Sequence, residues 1–302
     1  MVDILLATYN GEKHLAEQLD SLFMQIYKDF RIIARDDGST DGTLDILHAY
    51  KDRYPGQITL LASGEPTGSA KGNFFELLRH SDAEYTMFCD QDDVWYEDKI
   101  SRSLAMFDGE GDAPVLVHTD LSVVDENMEL INGSLFLMQK LNGEYNTLNR
   151  LLAQNNITGC TMMINRQLRN LIRPSAGALM HDWWIGLVAA AFGKILLVEQ
   201  STVRYRQHGA NDVGAKDVGS GEYVQEKLDN TDAIHKSIDD TYQQAQAFGD
   251  VYSDLLTQEQ LSLVTAYAAM KDYGIIKRFA TLSKYKFFKS GVLRKVGQII
   301  YG

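Results

Sequence analysis

The chain has 302 residues, 45% of them hydrophobic and 23% charged, which is ample for a sizeable core in one large domain or one domain plus an extension. The net charge of −12 argues against a general nucleic-acid binder, and no 18-residue apolar run is present to span a membrane as a helix. Two cysteines, Cys89 and Cys160, are too few for a disulfide framework or a zinc site and read as buried thiols of a reducing compartment.

The N-terminus, "MVDILLATYN", has no basic segment before its apolar run and no small-residue cleavage site, so it reads as a strand and not as a signal peptide. "DILLAT" (3–8) is followed by the turn signal "YNGE". Leu15, Leu19, Leu22 and Phe23 then share one helical face. "FRIIA" (30–34) is a second strand, closed by "RDDGSTDG", and Leu44, Leu47 and Tyr50 mark the next helix. "ITLLA" (58–62) is a third strand. A Gly-rich loop leads from it to a helix carrying Phe74, Leu77 and Leu78, and "YTMFC" (85–89) is a fourth strand. Strand and helix alternate four times in this way, which predicts βαβ units and a parallel sheet. "PVLVHTDLSVVD" (114–125), "NNITGCTMMINRQL" (155–168) and "ILLVEQSTVRYRQH" (195–208) contain further strand-like runs, and "HDWWIGLVAAAFG" (181–193) reads as a buried helix. Residues 209–221 read as a mobile linker. Beyond them the pattern is helical, with Ile234, Ile238, Tyr242 and Ala245 on one face and Leu256, Leu263 and Tyr267 on another.

Ligands of open parallel sheets bind at the carboxyl ends of the strands. Three polar clusters fall there: Thr8–Asn10, Asp36–Asp41 and Asp90–Asp93. Carboxylates as close as those of "CDQDDVW" repel one another, so either the segment is a solvated turn or something relieves the repulsion. Asp90-Gln91-Asp92 puts two carboxylates on one side of an extended segment, a pattern that suits a hard divalent cation bound to a diphosphate. Neither acidic loop is an EF-hand, since His48 stands where the loop from Asp37 would need Glu. No G-x-x-x-x-G-K-[ST] occurs, and no G-x-G-x-x-G follows the first strand, which disfavours P-loop ATPases and ordinary dinucleotide enzymes.

"ATYNGEKHLAEQLDSL", "RDDGSTDGT" and "CDQDDVWYEDK", in this order and spacing, resemble the nucleotide-sugar domain of family 2 glycosyltransferases. The later "NITGCTMMINR", "HDWW" and "VRYRQHGAN" are similar to its rhamnosyltransferase-like branch, so the resemblance covers roughly residues 2 to 212. It implies an A-type glycosyltransferase fold: a Rossmann-like, mostly parallel α/β sheet flanked by helices, with a C-terminal helical extension. The expected division is a catalytic domain over 1–220 and a helical region with a basic tail over 221–302.

The resemblance also implies roles. Thr8, Tyr9 and Asn10 would line the base and ribose pocket, Asp37 would meet the base with Asp36 a weaker candidate, and Lys71 and Asn73 would border the nucleotide. Asp90 would lie near ribose and metal, Asp92 would bind the metal, and His208 would approach metal or diphosphate. Asp182 would be the general base, while Trp95, Gly159, His181 and Trp183 would contact sugar or acceptor. The expected cofactor is Mg²⁺ or Mn²⁺, and the expected reaction is inverting transfer from a nucleotide-diphosphate sugar, dTDP-rhamnose or a UDP-hexose. The acceptor would be a bacterial surface polysaccharide or its lipid-linked precursor, with no nucleic-acid partner.

Plainer readings stand beside these. Asp36–Asp41 and Asn73 could be helix caps, His208 a surface histidine, and Trp183 and Trp184 core. A sugar nucleotidyltransferase and a non-catalytic carbohydrate-binding protein share much of the pattern. The seven basic residues of 275–302, with no acidic one, leave −19 on the first 274 residues. That tail is either a solvated face or a peripheral contact with the inner face of the cell membrane, which would make the protein cytoplasmic and membrane-associated.

Overall fold

In a computed structural model the described residues are 1–62, 64–208, 218 and 230–302. Two compact units emerge, each discontinuous in sequence, where the sequence reading placed a single boundary at 220. The first comprises Met1–Leu135, Ile157–Ile172 and Gly193–Gly214, and the second Phe136–Asn156, Arg173–Phe192 and Ala215–Gly302.

The first unit is built on the expected alternation: β1 (Val2–Thr8), α1 (Leu15–Phe23), β2 (Phe30–Asp36), α2 (Thr43–Arg53), β3 (Ile58–Leu60), α3 (Ala70–Leu78) and β4 (Tyr85–Cys89). Leu15, Leu19 and Leu22 are buried as one stripe of α1, and Ser69 caps α3 by accepting the Gly72 amide at 3.1 Å. β3, β2, β1 and β4 lie side by side and parallel. Thr8 pairs with Asp36 and Leu6 with Cys89, so the loops after β1, β2 and β4 leave from one edge, as the polar clusters required.

Beyond β4 the sheet takes in antiparallel strands as well. β5 is Val94–Trp95, α4 is Lys99–Ala105, β6 is Val115–Val124 and β7 is Leu130–Asn132. β8 (Met163–Asn165) and the short helix α7 (Arg166–Arg169) follow, and the unit's last strand is β9 (Lys194–Arg206). β8 runs antiparallel between β4 and β6, and β9 lies parallel to β6 and antiparallel to β5. The order among the described residues is β3-β2-β1-β4-β8-β6-β9-β5, with β7 on β6. All ten residues of β6 are buried, the polar His118, Thr119, Asp120 and Ser122 among them. Cys89 and Cys160 are buried and unpaired.

The second unit is helical: α5 (Leu135–Gln139, reaching over from the first unit by one residue), α6 (Leu148–Ala153), α8 (His181–Phe192), α9 (Thr231–Val251), α10 (Gln258–Ala268), α11 (Ile275–Tyr285) and α12 (Val292–Tyr301). Ile238, Tyr242 and Ala245 are buried on α9 as their spacing predicts. On α10 the buried positions are Val264, Tyr267 and Ala268, one residue around from the expected Leu263. Thr257 and Gln260 form a capping box that starts this helix. The linker reading of 209–221 lies, save for Val218, outside the described residues. Among the described residues no helix is long and apolar enough to cross a membrane.

Candidate active site

The end of β2 folds its own polar side chains into the turn that follows. Asp36 accepts the Thr8 hydroxyl at 2.9 Å through Oδ1, and the Gly38 and Ser39 amides at 3.1 and 2.8 Å through Oδ2. Gly38 sits at φ +95°, a conformation that glycine adopts at no steric cost. Asp37 accepts Arg35 Nη1 at 2.6 Å, the Thr67 amide at 2.7 Å and hydroxyl at 3.0 Å, and the Gly68 amide at 2.9 Å. Burial alone would raise its pKa. The Thr67 and Gly68 amides, the Thr67 hydroxyl and Arg35 outweigh that and hold the carboxyl below its usual range. The pair expected on the nucleobase therefore shapes the chain, with Asp37 clasping the loop at 65–68.

Arg35, which sequence reasoning passed over as part of a polar turn, is the hub of this cluster. It is buried, donates to Asn73 Oδ1 at 3.0 Å and to the Glu65 carbonyl at 3.0 Å, and lines a cleft of about 380 Å³ with Leu61, Ala62, Thr67 and Glu76. Asn73 is buried and returns a bond to the Arg35 carbonyl at 3.1 Å, so it secures Arg35 and is not merely a cap. Lys71 stands half-buried in the first turn of α3.

The loops after β1 and β4 are joined by one side chain. Gln91 accepts the Tyr9 amide and donates to the Tyr9 carbonyl, both at 2.8 Å. Gly11 makes room for it, since a Cβ there would lie 2.2 Å from Gln91 Oε1. Asn10, at φ +48°, receives the Thr40 amide on its side chain and donates its own amide to Ser39. Asparagine tolerates this left-handed conformation better than most residues. Above the clamp the Tyr9 ring is 58% exposed.

The acidic cluster divides into an outward and an inward part. Asp92 Oδ2 lies 2.7 Å from His208 Nε2 although the residues are 116 apart in sequence. His208 in turn stacks on His14 with centroids 5.4 Å apart. Arg206, another residue the sequence reading left without a role, holds this junction. Its guanidinium donates to the Asp92 and Glu126 carbonyls at 2.9 and 2.7 Å and pairs with Glu17.

Asp93 is fully buried and accepts the Arg206 amide at 3.2 Å. Burial, then the charges of Asp92 and Asp90, push its pKa well above the usual carboxylate range. Asp90, Asp93 and Cys160 bring ligand-type atoms within 4.8 Å of one another. Burial also raises the Cys160 thiol, so without a cation the inner pair favours its protonated forms. Asp90, Asp92 and His208 are partly exposed and offer carboxylate oxygens and one imidazole, donor types that suit Mg²⁺ or Mn²⁺, with Asp92 and His208 in direct contact.

Two expected contact residues are core instead. Trp95 is 3% exposed and lies beneath the buried Lys99, whose Nζ is 4.6 Å from the ring centroid. Lys99 is itself lowered by burial to a pKa of about 8. No face of Trp95 is left for a sugar. Gly159 is buried in the 3₁₀ turn Gly159–Thr161.

In the second unit His181, also expected at a sugar, is buried, and burial lowers its pKa to about 3, so the imidazole is neutral. Asp182, in the first turn of α8, accepts the Trp183 amide at 2.5 Å and Asn155 Nδ2 at 3.2 Å through Oδ1. Trp183 is half-buried and donates its indole N–H to the Leu151 carbonyl at 2.6 Å, while Trp184 is wholly core and donates to the Arg173 carbonyl at 2.9 Å.

Comparison with known proteins bears on the family and the fold. The model of the family "Glycosyl transferase family 2" matches residues 3–171, more than half of the chain. A dTDP-rhamnosyl transferase, RfbG, of Shigella flexneri is 30% identical over 230 residues, covering 70% of this chain and 74% of its own. The Escherichia coli UDP-Glc:alpha-D-GlcNAc-diphosphoundecaprenol beta-1,3-glucosyltransferase WfgD is 25% identical over 170 residues, 56% of this chain and 62% of its own. Among solved structures, Staphylococcus aureus TarS 1-349 superposes with a TM-score of 0.59 at 17% identity, covering 93% of this chain and 74% of that one. A mannosyltransferase from Pyrobaculum calidifontis, in complex with GDP-Man and Mn²⁺, gives 0.53 at 15% identity, with 99% and 84% covered. The structural likenesses establish the A-type glycosyltransferase fold. The chain belongs to glycosyl transferase family 2.

Proposed function

We propose that the protein transfers L-rhamnose, with inversion, from dTDP-rhamnose to a growing bacterial surface polysaccharide or its lipid-linked precursor, using a divalent cation at the cytoplasmic face of the membrane. The observation that carries the reading is the 2.7 Å contact between Asp92 and His208, which joins two distant segments at the carboxyl edge of the sheet. The exposed Tyr9 ring offers a flat surface on which a nucleobase stacks. Lys71 lies on the nucleotide's path, and Asn73 acts by holding Arg35 against Asp37. Asp90, Asp92 and His208 would hold the cation, which when bound neutralises charge developing on the diphosphate leaving group.

Inversion requires a carboxylate that takes the acceptor hydroxyl's proton as it attacks, and Asp182 is the proposed base. Its Oδ1 accepts the Trp183 amide and Asn155 Nδ2, two bonds that fix the orientation of the carboxylate. The rhamnose donor is supported by the Shigella relative, a dTDP-rhamnosyl transferase. A second reading, a UDP-hexose donor, is supported by the Escherichia coli relative.

A thermal-shift panel of dTDP, UDP, GDP and CDP, each with Mg²⁺ or Mn²⁺, tests the donor assignment. A nucleotide that binds only the folded protein stabilises it by about 2.7 kcal/mol at 100 times its Kd. The expected result is a metal-dependent shift with dTDP that His208→Ala removes. A larger shift with UDP would favour the second reading, and shifts indifferent to metal would contradict the proposed cation site.

A further inference from the structure

A helix packed on a folded unit ordinarily turns its apolar stripe inward. The last helix of this protein does the reverse. Its buried position on α12 is a polar one: Gln298, 1% exposed, accepts the Lys289 amide at 3.0 Å and donates to the Phe287 carbonyl at 2.9 Å. Arg294, one turn earlier, donates to the Gln139 carbonyl at 2.6 Å. Each helical residue advances by roughly 100°, so Val292, Leu293, Val296 and Ile300 fall within one arc on the side away from Gln298. All four are exposed, Val292 to 76%.

The preceding helix, α11, shows the same feature in milder form. Arg278 and Leu282 face inward, and the Arg278 guanidinium donates to the Ile299 and Tyr273 carbonyls at 3.1 and 2.8 Å, tying α11 to the end of α12. Ile275, Ile276 and Phe279 are exposed, Ile276 to 88%. Lys277, Lys284, Lys286 and Lys295 are exposed in the same two-helix segment, which has no acidic residue.

We propose that α11 and α12 form a membrane-docking face that lays these apolar side chains among the headgroups of an anionic bilayer while the exposed lysines meet lipid phosphates. Short amphipathic helices with basic and apolar sides bind such interfaces. The charge of the segment selects this occupant. A second copy of the chain would set the four exposed lysines against four, and a nucleic acid would answer the lysines but offer no apolar layer for Ile276, Val292 and Val296. Had α12 packed with its apolar side inward, the basic residues would be an ordinary solvated surface. The inference uses the C-terminal segment alone and does not depend on the donor or acceptor assigned above.

Sedimentation of the full chain with vesicles of phosphatidylcholine alone, and with phosphatidylglycerol added, tests it. Binding should require phosphatidylglycerol and weaken as salt is raised. Val296→Asp with Ile300→Asp should cut the affinity at least about tenfold, and Lys277→Gln with Lys284→Gln should do the same. All these side chains are exposed, so both variants should keep the wild-type melting temperature and the wild-type shift with nucleotide. That second readout separates loss of lipid binding from any failure of the transferase reading. Equal binding to neutral and anionic vesicles, no binding at all, or undiminished binding by the variants would overturn the proposal. So would sedimentation velocity showing a dimer that Val296→Asp with Ile300→Asp disperses, because the face would then belong to a second copy.

Discussion

Asp93 and His181 show how burial sets a side chain's charge. For Asp93, the neighbouring carboxylates reinforce burial in favouring the proton. For His181, burial alone lowers the imidazole from 6.5 to about 3. A base with a depressed folded pKa binds fewer protons folded than unfolded between those two values. Its contribution to stability is therefore complete above pH 6.5 and is lost as pH falls toward 3. At about pH 5 the loss amounts to about 2 kcal/mol. Denaturant unfolding of the wild type and His181→Gln at pH 7 and pH 5 should show the variant losing less stability between the two, by about that amount. An equal loss in both would mean that His181 is not held neutral.

At this scale the acidic cluster was legible, because carboxylates cannot be packed closely without a reason. Arg35 and Arg206 were not: a charged residue at a strand end looks like the start of a solvated turn. Nothing local reveals that Asp37, Asn73 and the Glu65 carbonyl converge on one guanidinium, or that Arg206 will reach Asp92, Glu126 and Glu17.

Elements were legible where an apolar run met turn residues, as in β1, β2 and β4. β5, of two residues, is too short to carry a period and exists because it pairs with the longer β9, while β8, three residues within the expected strand-like run, lies between β4 and β6. Strand order was also hidden, since pairing β8 antiparallel between β4 and β6 depends on long-range packing. One junction was marked in the sequence by glycine for a reason only the structure supplies. Gly193 is the single residue between α8 and β9, and a Cβ there would lie 2.1 Å from the Pro114 carbonyl oxygen, which already accepts the Lys194 amide at 2.9 Å. The neighbour is backbone and cannot swing aside. Gly193→Ala should shift the start of β9 away from β6 and cost about 1–3 kcal/mol of stability, measured by chemical denaturation. A loss of a few tenths would show that the junction relaxes.

For the whole molecule, the sequence pointed to a nucleotide-sugar transferase with a helical, basic end, and family membership and fold agree. What the sequence could not supply was the discontinuous make-up of the two units, since 136–156 and 173–192 join the C-terminal helices only through packing. The outward apolar side of α12 was equally hidden, because periodicity gives the stripe but not its direction.

The central claim is cation-assisted inverting transfer with Asp92 at the cation and Asp182 as base. Its most direct test is the release of dTDP from dTDP-rhamnose in the presence of acceptor, measured for the wild type, Asp92→Asn and Asp182→Asn, with dTDP affinity measured alongside. The account predicts metal-dependent release by the wild type and loss of release in Asp92→Asn with the fold intact. It predicts a fall of about 10² to 10⁴-fold in Asp182→Asn with dTDP affinity nearly unchanged. Full release in the presence of a chelator, near-wild-type turnover by Asp92→Asn, or equal losses of rate and affinity in Asp182→Asn would contradict it.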